Sequence, residues 1–205
     1  MAKKWFECRV YPIKDRAQKV HSVITASINI TNRKRLELQL QEISEKDTLT
    51  GAYNRKYFMQ IFGQEFHIAR RYKNKLSVLL LDIDNLKEIN NSFGYDGGDA
   101  VLKSCTSFCM ETLRDSDLFA RYSTEKFVVM LPNTPSIGAA ILAERLRAGI
   151  EDMVVTYHGR DARCTVSIGV SLVVEGDTNS GAVISRADSA LYQAKKKGRN
   201  RVEII

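Results

Sequence analysis

Apolar residues recur at every second position through "WFECRVYPI" (residues 5–13) and "VHSVITASINI" (20–30), with the polar stretch "KDRAQK" between them. That alternation predicts two half-buried strands joined by a turn. A two-stranded hairpin alone is marginal in water, so the pair reads as the end of something larger. The period then changes. In "TNRKRLELQLQEISEKD", Thr31 or Asn32 stands at a helix start and Leu36, Leu40 and Ile43 follow at four-three spacing. This predicts a linker helix with a short coiled-coil seam, the plainer alternative being a helix packed on its own domain.

From Asp47 the pattern alternates between helical and extended. "RKYFMQIFGQEFHIARRY" puts Phe58, Ile61, Phe62 and Phe66 on one helix face, and "LSVLLLDID" is an unbroken apolar run ending in acid, as a strand buried on both faces would be. Helices are predicted near 85–92 and 98–113. "DLFARY" and "FVVMLP" form a hairpin, "SIGAAILAERLRAGIE" a helix, and "RCTVSIGVSLVV" a long strand. "GAVISRADSALYQAKKKG" reads as a helix stopped by Gly198, and "VEII" as a last short strand. The predicted class is α/β (α+β): helices flanking a central, mostly antiparallel sheet. The expected organisation is a fragment of terminal strands over 1–30, a linker helix over 31–46 and the main domain over 47–205.

Charge changes this picture little. The net charge is +7, but residues 1–46 hold ten Lys and Arg against five Asp and Glu, leaving a net of +2 for all the rest. A nucleic-acid-binding domain concentrates positive charge on its folded face, and no such platform is evident, so nucleic acid is not an expected partner. No apolar run approaches the length of a membrane span and the N-terminus lacks a signal-peptide core. A cytoplasmic protein is expected. Cys8, Cys105, Cys109 and Cys164 lack the close pairing of a zinc site and read as buried thiols.

Three stretches carry candidate chemistry. Asp82 and Asp84 end the central strand, where ligands gather in open α/β sheets. The two are not expected to grip one ion together. Asp84 reads as a cap for the next helix, whereas Asp82, finishing "LLL", needs a partner or a metal because burying a bare carboxylate is expensive. "NNSFGYDGGDA" is a glycine-rich turn entering a helix, and "AKKKGRNR" sets Lys195 and Arg199 at a helix end.

Together these pieces resemble one family. "DTLTGAYNR", "LLLDIDNLKEINNSFGYDGGD", "ARYSTEKF", "TVSIGV" and "ADSALYQAKKKGRN" follow the order and spacing of a GGDEF-type diguanylate cyclase domain from Asp47 to Val202, and the preceding strands and "NITNRKRLE" are similar to the end of a PAS sensor domain and its linker. The resemblance implies a nucleotide-cyclase-like fold that works as a homodimer. Each subunit holds one GTP, and each ribose hydroxyl attacks the partner's α-phosphate to give cyclic di-GMP. It further implies magnesium on Asp82, the Ile83 carbonyl and Glu125, with Asp82 and Glu125 as the catalytic acids. Asn90 and Asp99 would read guanine, and Lys195 and Arg199 would grip the triphosphate. Tyr95 stands where the family usually has His.

The signature turn departs from the family. Where relatives have Gly-Gly-Asp/Glu-Glu-Phe, this chain has Ser123, Thr124, Glu125, Lys126 and Phe127. Glycines suit such a turn because they accept positive φ and let a nucleotide lie close to the backbone. Thr in that conformation would be strained, so a different turn is expected, with two side chains standing in the nucleotide's place. Lys126 replaces an acid beside the metal position and disfavours a divalent ion by several kcal/mol at an effective dielectric of about 20. Arg114 and Asp117 fall at the position of the family's RxxD inhibitory site. A guanidinium there suits guanine or phosphate and a carboxylate accepts from guanine N–H groups. The alternative is an ordinary i,i+3 ion pair. The leading expectation is an impaired cyclase that binds cyclic di-GMP at Arg114 and Asp117; the alternatives are an active cyclase and a non-binding dimerisation scaffold.

Overall fold

The computed structural model describes residues 4–14, 16, 18–36 and 45–205. The chain divides into two compact units, Met1–Ser44 and Glu45–Ile205. In the first, β1 (Phe6–Lys14) and β2 (Val20–Asn29) pair antiparallel from Phe6 opposite Asn29 onward. The alternation predicted half-buried strands, but Phe6, Val10, Tyr11, Val23 and Ile24 are all exposed. A hairpin has no second layer to cover either face. The chain is helical over residues 31–36. Thr31 does not cap it: its hydroxyl accepts from the Trp5 N–H at 2.9 Å, while the Thr31 N–H donates to Asn29 Oδ1. Leu36 is exposed, and the rest of the proposed seam, Leu40 and Ile43, lies outside the described residues.

The second unit is a six-stranded sheet between two helical layers. Its helices are α1 (Arg55–Tyr72), α2 (Leu86–Thr112), α3 (Ser136–Asp152) and α4 (Ser180–Lys196). Its sheet contains β3 (Tyr53–Asn54), β4 (Leu76–Ile83), β5 (Leu118–Arg121), β6 (Lys126–Pro132), β9 (Val166–Leu172) and β10 (Val202–Ile204), in the order β10-β9-β4-β6-β5-β3. The four inner strands pair antiparallel, and the short edge strands β10 and β3 pair parallel to their neighbours. The predicted α/β sandwich is the observed one.

Every residue of β4 is buried, and strand alternation sends its side chains to two cores. Leu79, Leu81 and Ile83 pack with Val101, Cys105, Ala143 and Leu146 of α2 and α3. Val78 and Leu80 pack with Phe58, Phe62, Phe66, Ala187 and Leu191 of α1 and α4. Strand β9 is two-sided in another way: Val166, Ile168 and Val170 join the first core, while Ser167, Gly169 and Ser171 alternate with them. This small face lets α4 come close. A Cβ on Gly169 would collide with the backbone at Ala187 O and Leu191 N.

Two features were not read from the pattern. A small hairpin, β7 (Val155–Tyr157) and β8 (Arg160–Ala162), turns at His158 and Gly159 with φ of 49° and 73°, the two consecutive positive values of a tight hairpin turn. The two helices predicted on either side of residue 95 are present, but they run on from each other within α2 and meet at a kink at Gly94 (φ 76°, ψ 171°). Gly97 and Gly98 lie within the helix and serve contact instead. Three of the cysteines are buried as expected, but Cys8 is exposed. Cys105 and Cys164 stand with their sulfurs 3.6 Å apart.

Candidate functional site

The end of β4 gathers most of the predicted site. Asp82 lies opposite Lys126 of β6, and the Ile83 N–H donates to the Glu125 carbonyl at 3.2 Å, which fixes the turn of the β5–β6 hairpin beside the strand end. Asp82 is wholly buried, on the side of the sheet that α4 covers. Lys195 of α4 brings its ammonium to 2.7 Å from Asp82 Oδ2. Beyond this ion pair, neither Asp82 oxygen has a hydrogen-bond partner among the described residues. Burial pushes the Asp82 carboxyl above its ordinary value, while Lys195 pulls the other way and Glu125 adds to the rise. A buried carboxylate whose one close partner is a half-buried ammonium suits a hard cation, so the donor set of Asp82, Glu125 and the intervening main chain fits magnesium. Among the described residues, no group of three or more His, Cys, Asp or Glu side chains forms a metal cluster; any ion here would rely on two carboxylates and a carbonyl.

The signature turn has relaxed as expected. None of residues 122–126 has a positive φ. The Tyr122 and Ser123 N–H groups both donate to the Lys126 carbonyl, at 2.8 and 3.1 Å, and Ser123 and Thr124 are exposed. Lys126 departs from expectation. Its ammonium pairs with Asp188 of α4 at 2.7 Å, so its charge is offset. The penalty imposed on a cation at Asp82 is therefore smaller than an unpaired lysine would exert. Arg121 buttresses the turn, donating to the Thr124 carbonyl at 2.7 Å and to Asp47 Oδ1 at 3.1 Å. Asp47 in turn accepts from the Thr50 N–H and hydroxyl. Although burial raises its carboxyl, the bonds from Thr50 and Arg121 hold it below the ordinary value. The "DTLTG" motif is thus a brace for the hairpin.

Asp84 does not cap α2. The cap position is Asn85, at φ 56°, with no side-chain cap bond. Positions two apart share a strand face, but β4 ends at Ile83 and Asp84 is already spoken for: it accepts from Thr165 Oγ1 at 2.8 Å, Ser167 Oγ at 2.7 Å and the Asn200 N–H at 3.1 Å. It is a structural hub, and Asn200 was missed by sequence reasoning. The Asn90 side chain lies over Gly98, where a Cβ would collide with its Oδ1, and this sets Asn90 beside the turn of helix that carries Asp99. Both are half-buried, whereas Arg199 and Tyr95 are exposed.

Arg114 and Asp117 form a second place, at the end of α2. They make no ion pair with each other among the described residues. Asp117 Oδ2 instead accepts from the Arg114 N–H at 3.1 Å, which leaves the exposed Arg114 guanidinium free of that carboxylate. Both residues line a cavity of about 230 Å³ with Gly138, Ile141 and Arg145 of α3. Arg145, a second cation here, had no sequence signal beyond helical spacing.

The sequence matches the family described as "Diguanylate cyclase, GGDEF domain" over residues 44–201. The chain belongs to the GGDEF family. Among curated relatives, this GGDEF domain is 36% identical over 169 residues to diguanylate cyclase A of Treponema denticola, covering 81% of this chain and 46% of that protein. It is 41% identical over 167 residues to the response regulator PleD of Caulobacter vibrioides, covering 78% of this chain and 36% of that one. The chain thus spans less than half the length of either. The solved coiled coil and GGDEF domain of DgcB from Caulobacter crescentus, in complex with c-di-GMP, superposes with a TM-score of 0.80 at 28% identity, over 85% of this chain and 93% of that one.

Proposed function

We propose that this GGDEF domain is a cyclic di-GMP signalling module, impaired in joining two GTP molecules and acting as a receptor for the cyclic product through Arg114 and Asp117. The observation that carries the reading is the hairpin at 122–126. Two exposed side chains, Ser123 and Thr124, stand at the positions where relatives have glycines, and a nucleotide has no bare main chain to lie against. A loss of about 1.4 kcal/mol in positioning is a tenfold loss of rate. The receptor role is supported by a free guanidinium, a nearby carboxylate and Arg145 around one cavity.

A second reading, an active diguanylate cyclase, is favoured by one observation: Asp82 stands buried beside the turn that carries Glu125. Asp82, the Ile83 carbonyl and Glu125 would hold magnesium, which when bound would spread the phosphoryl charge of GTP. Lys195 and Arg199 would take the phosphates, and Asn90 and Asp99 the guanine edge. The working unit would be a homodimer. The exposed apolar residues on both faces of β1–β2 support reading that hairpin as the end of a PAS-like sensor domain. Among the described residues no helix is long and apolar enough to cross a membrane.

Calorimetry with cyclic di-GMP tests the receptor role. Wild type is expected to bind and Arg114→Ala to lose binding without change in melting temperature, since Arg114 is exposed. No binding by wild type would leave a dimerisation scaffold or a cyclase without this site.

A further inference from the structure

We propose that Asn200 is a positioning residue that holds Arg199 ready for the outer phosphates of a bound guanosine triphosphate; this deepens, and rests on, the nucleotide-binding reading of the site. Helix α4 ends in a capping motif: the Gly198 N–H donates to the Lys195 carbonyl at 3.3 Å and the Arg199 N–H to the Ala194 carbonyl at 3.0 Å, with Gly198 at φ 112°. That much any helix terminated by glycine does. The unusual part follows. Arg199 and Asn200 also have positive φ, at 64° and 45°, so two side-chain-bearing residues in succession adopt a left-handed conformation that the surroundings must hold in place.

Asn200 is the anchor. Its N–H donates to Asp84 Oδ2 at 3.1 Å, its Oδ1 accepts from Arg147 at 2.7 Å, and its Nδ2 donates to Glu151 Oε1 at 2.7 Å. Each partner is itself fixed. Asp84 is buried and accepts from Thr165 and Ser167, and Arg147 is bonded to Glu144 and Glu151. Asparagine fits because one side chain must offer a donor to Glu151 and an acceptor to Arg147. It also tolerates the left-handed region better than most residues. Aspartate would set two carboxylates against each other.

Arg199 is therefore held between the helix cap on one side and a triply bonded residue on the other, while its own side chain is exposed. Lys195, one turn earlier, is tied to Asp82, and Asn200 to Asp84, so the two acids that end β4 fix the two ends of the basic segment. Fixing the backbone of a guanidinium before the ligand arrives lowers the cost of aligning it with phosphate oxygens.

The test is titration of the full chain with a non-hydrolysable GTP analogue and with GMP, which lacks the outer phosphates. Asn200→Ala is expected to weaken the analogue by about fivefold to tenfold, the size of one or two hydrogen bonds, and to leave GMP unchanged. Combined with Arg199→Ala it should add nothing, because both act through one guanidinium. Glu151→Ala, an exposed change on another helix, gives a smaller selective loss and replaces Asn200→Ala should that variant not fold. Equal weakening of both ligands, losses that multiply in the double variant, or no effect in either variant would overturn the inference alone. Failure of wild type to bind the analogue would remove the nucleotide reading and this inference with it.

Discussion

The Lys195 ammonium stands 2.7 Å from Asp82 Oδ2, in a place where that carboxylate has no other partner among the described residues. Lys195 serves as the counter-ion of Asp82; on the nucleotide-binding reading proposed above it would turn to a phosphate where a metal took the carboxylate. The arrangement carries a cost that can be measured.

Asp82→Asn is expected to raise the melting temperature at pH 7 by about 2–4 °C, equivalent to about 1 kcal/mol for a domain of this size. Burial raises the Asp82 carboxyl above its ordinary 3.8. The folded state therefore holds the proton more tightly than the unfolded chain, and stability falls as pH rises from 3.8 through the raised value. The full penalty applies above both values. The gain from asparagine should thus be present at pH 7 and vanish below pH 3.8. Lys195, about one-third exposed, can turn to water when its partner is neutral. Thermal melts across pH check both halves.

Gly98→Ala separates stability from recognition. Alanine is the better helix former by about 0.5–1 kcal/mol, but the new methyl would occupy the place of Asn90 Oδ1. Asn90 must swing away. The melting temperature should change by no more than a few degrees while affinity for a GTP analogue falls about tenfold, as expected when a ligand's polar group loses its partner. Calorimetry alongside melting measures the two.

Gly169→Ala should behave in the opposite way. Its methyl would meet backbone atoms of α4, which have no rotamer to escape into. A destabilisation of at least about 3 kcal/mol is expected, as for overpacking at a rigid contact. Denaturant unfolding reports it directly.

Sequence pattern exposed the architecture because α1 and α4 have strong helical periodicity and β4 is an unbroken apolar run, and the candidates Asp82 and Lys195 meet because one sits near the end of β4 and the other near the end of α4. It did less well where tertiary partners decide. Asp84 looked like a helix cap, yet its bonds come from Thr165, Ser167 and Asn200, residues more than 80 positions away. Lys126 looked like a cation set against the metal position, yet Asp188 of α4 pairs with it. The β7–β8 hairpin was missed because its strands are three residues each, too short for alternation to register. The exposure of β1–β2 could not be read at all, since alternation reveals a two-sided strand but not whether anything covers it.

On the proposed reading, Ser123, Thr124 and Lys126 impair cyclisation at a corner that keeps Asp82 and Glu125. The most direct measurement compares cyclic di-GMP formation from GTP and magnesium by wild type and by the triple variant Ser123→Gly, Thr124→Gly, Lys126→Glu at equal concentration. The expected result is little or no product from wild type and a rate at least about tenfold higher from the variant, which corresponds to 1.4 kcal/mol of recovered transition-state stabilisation. Turnover by wild type equal to or above that of the variant would contradict the account.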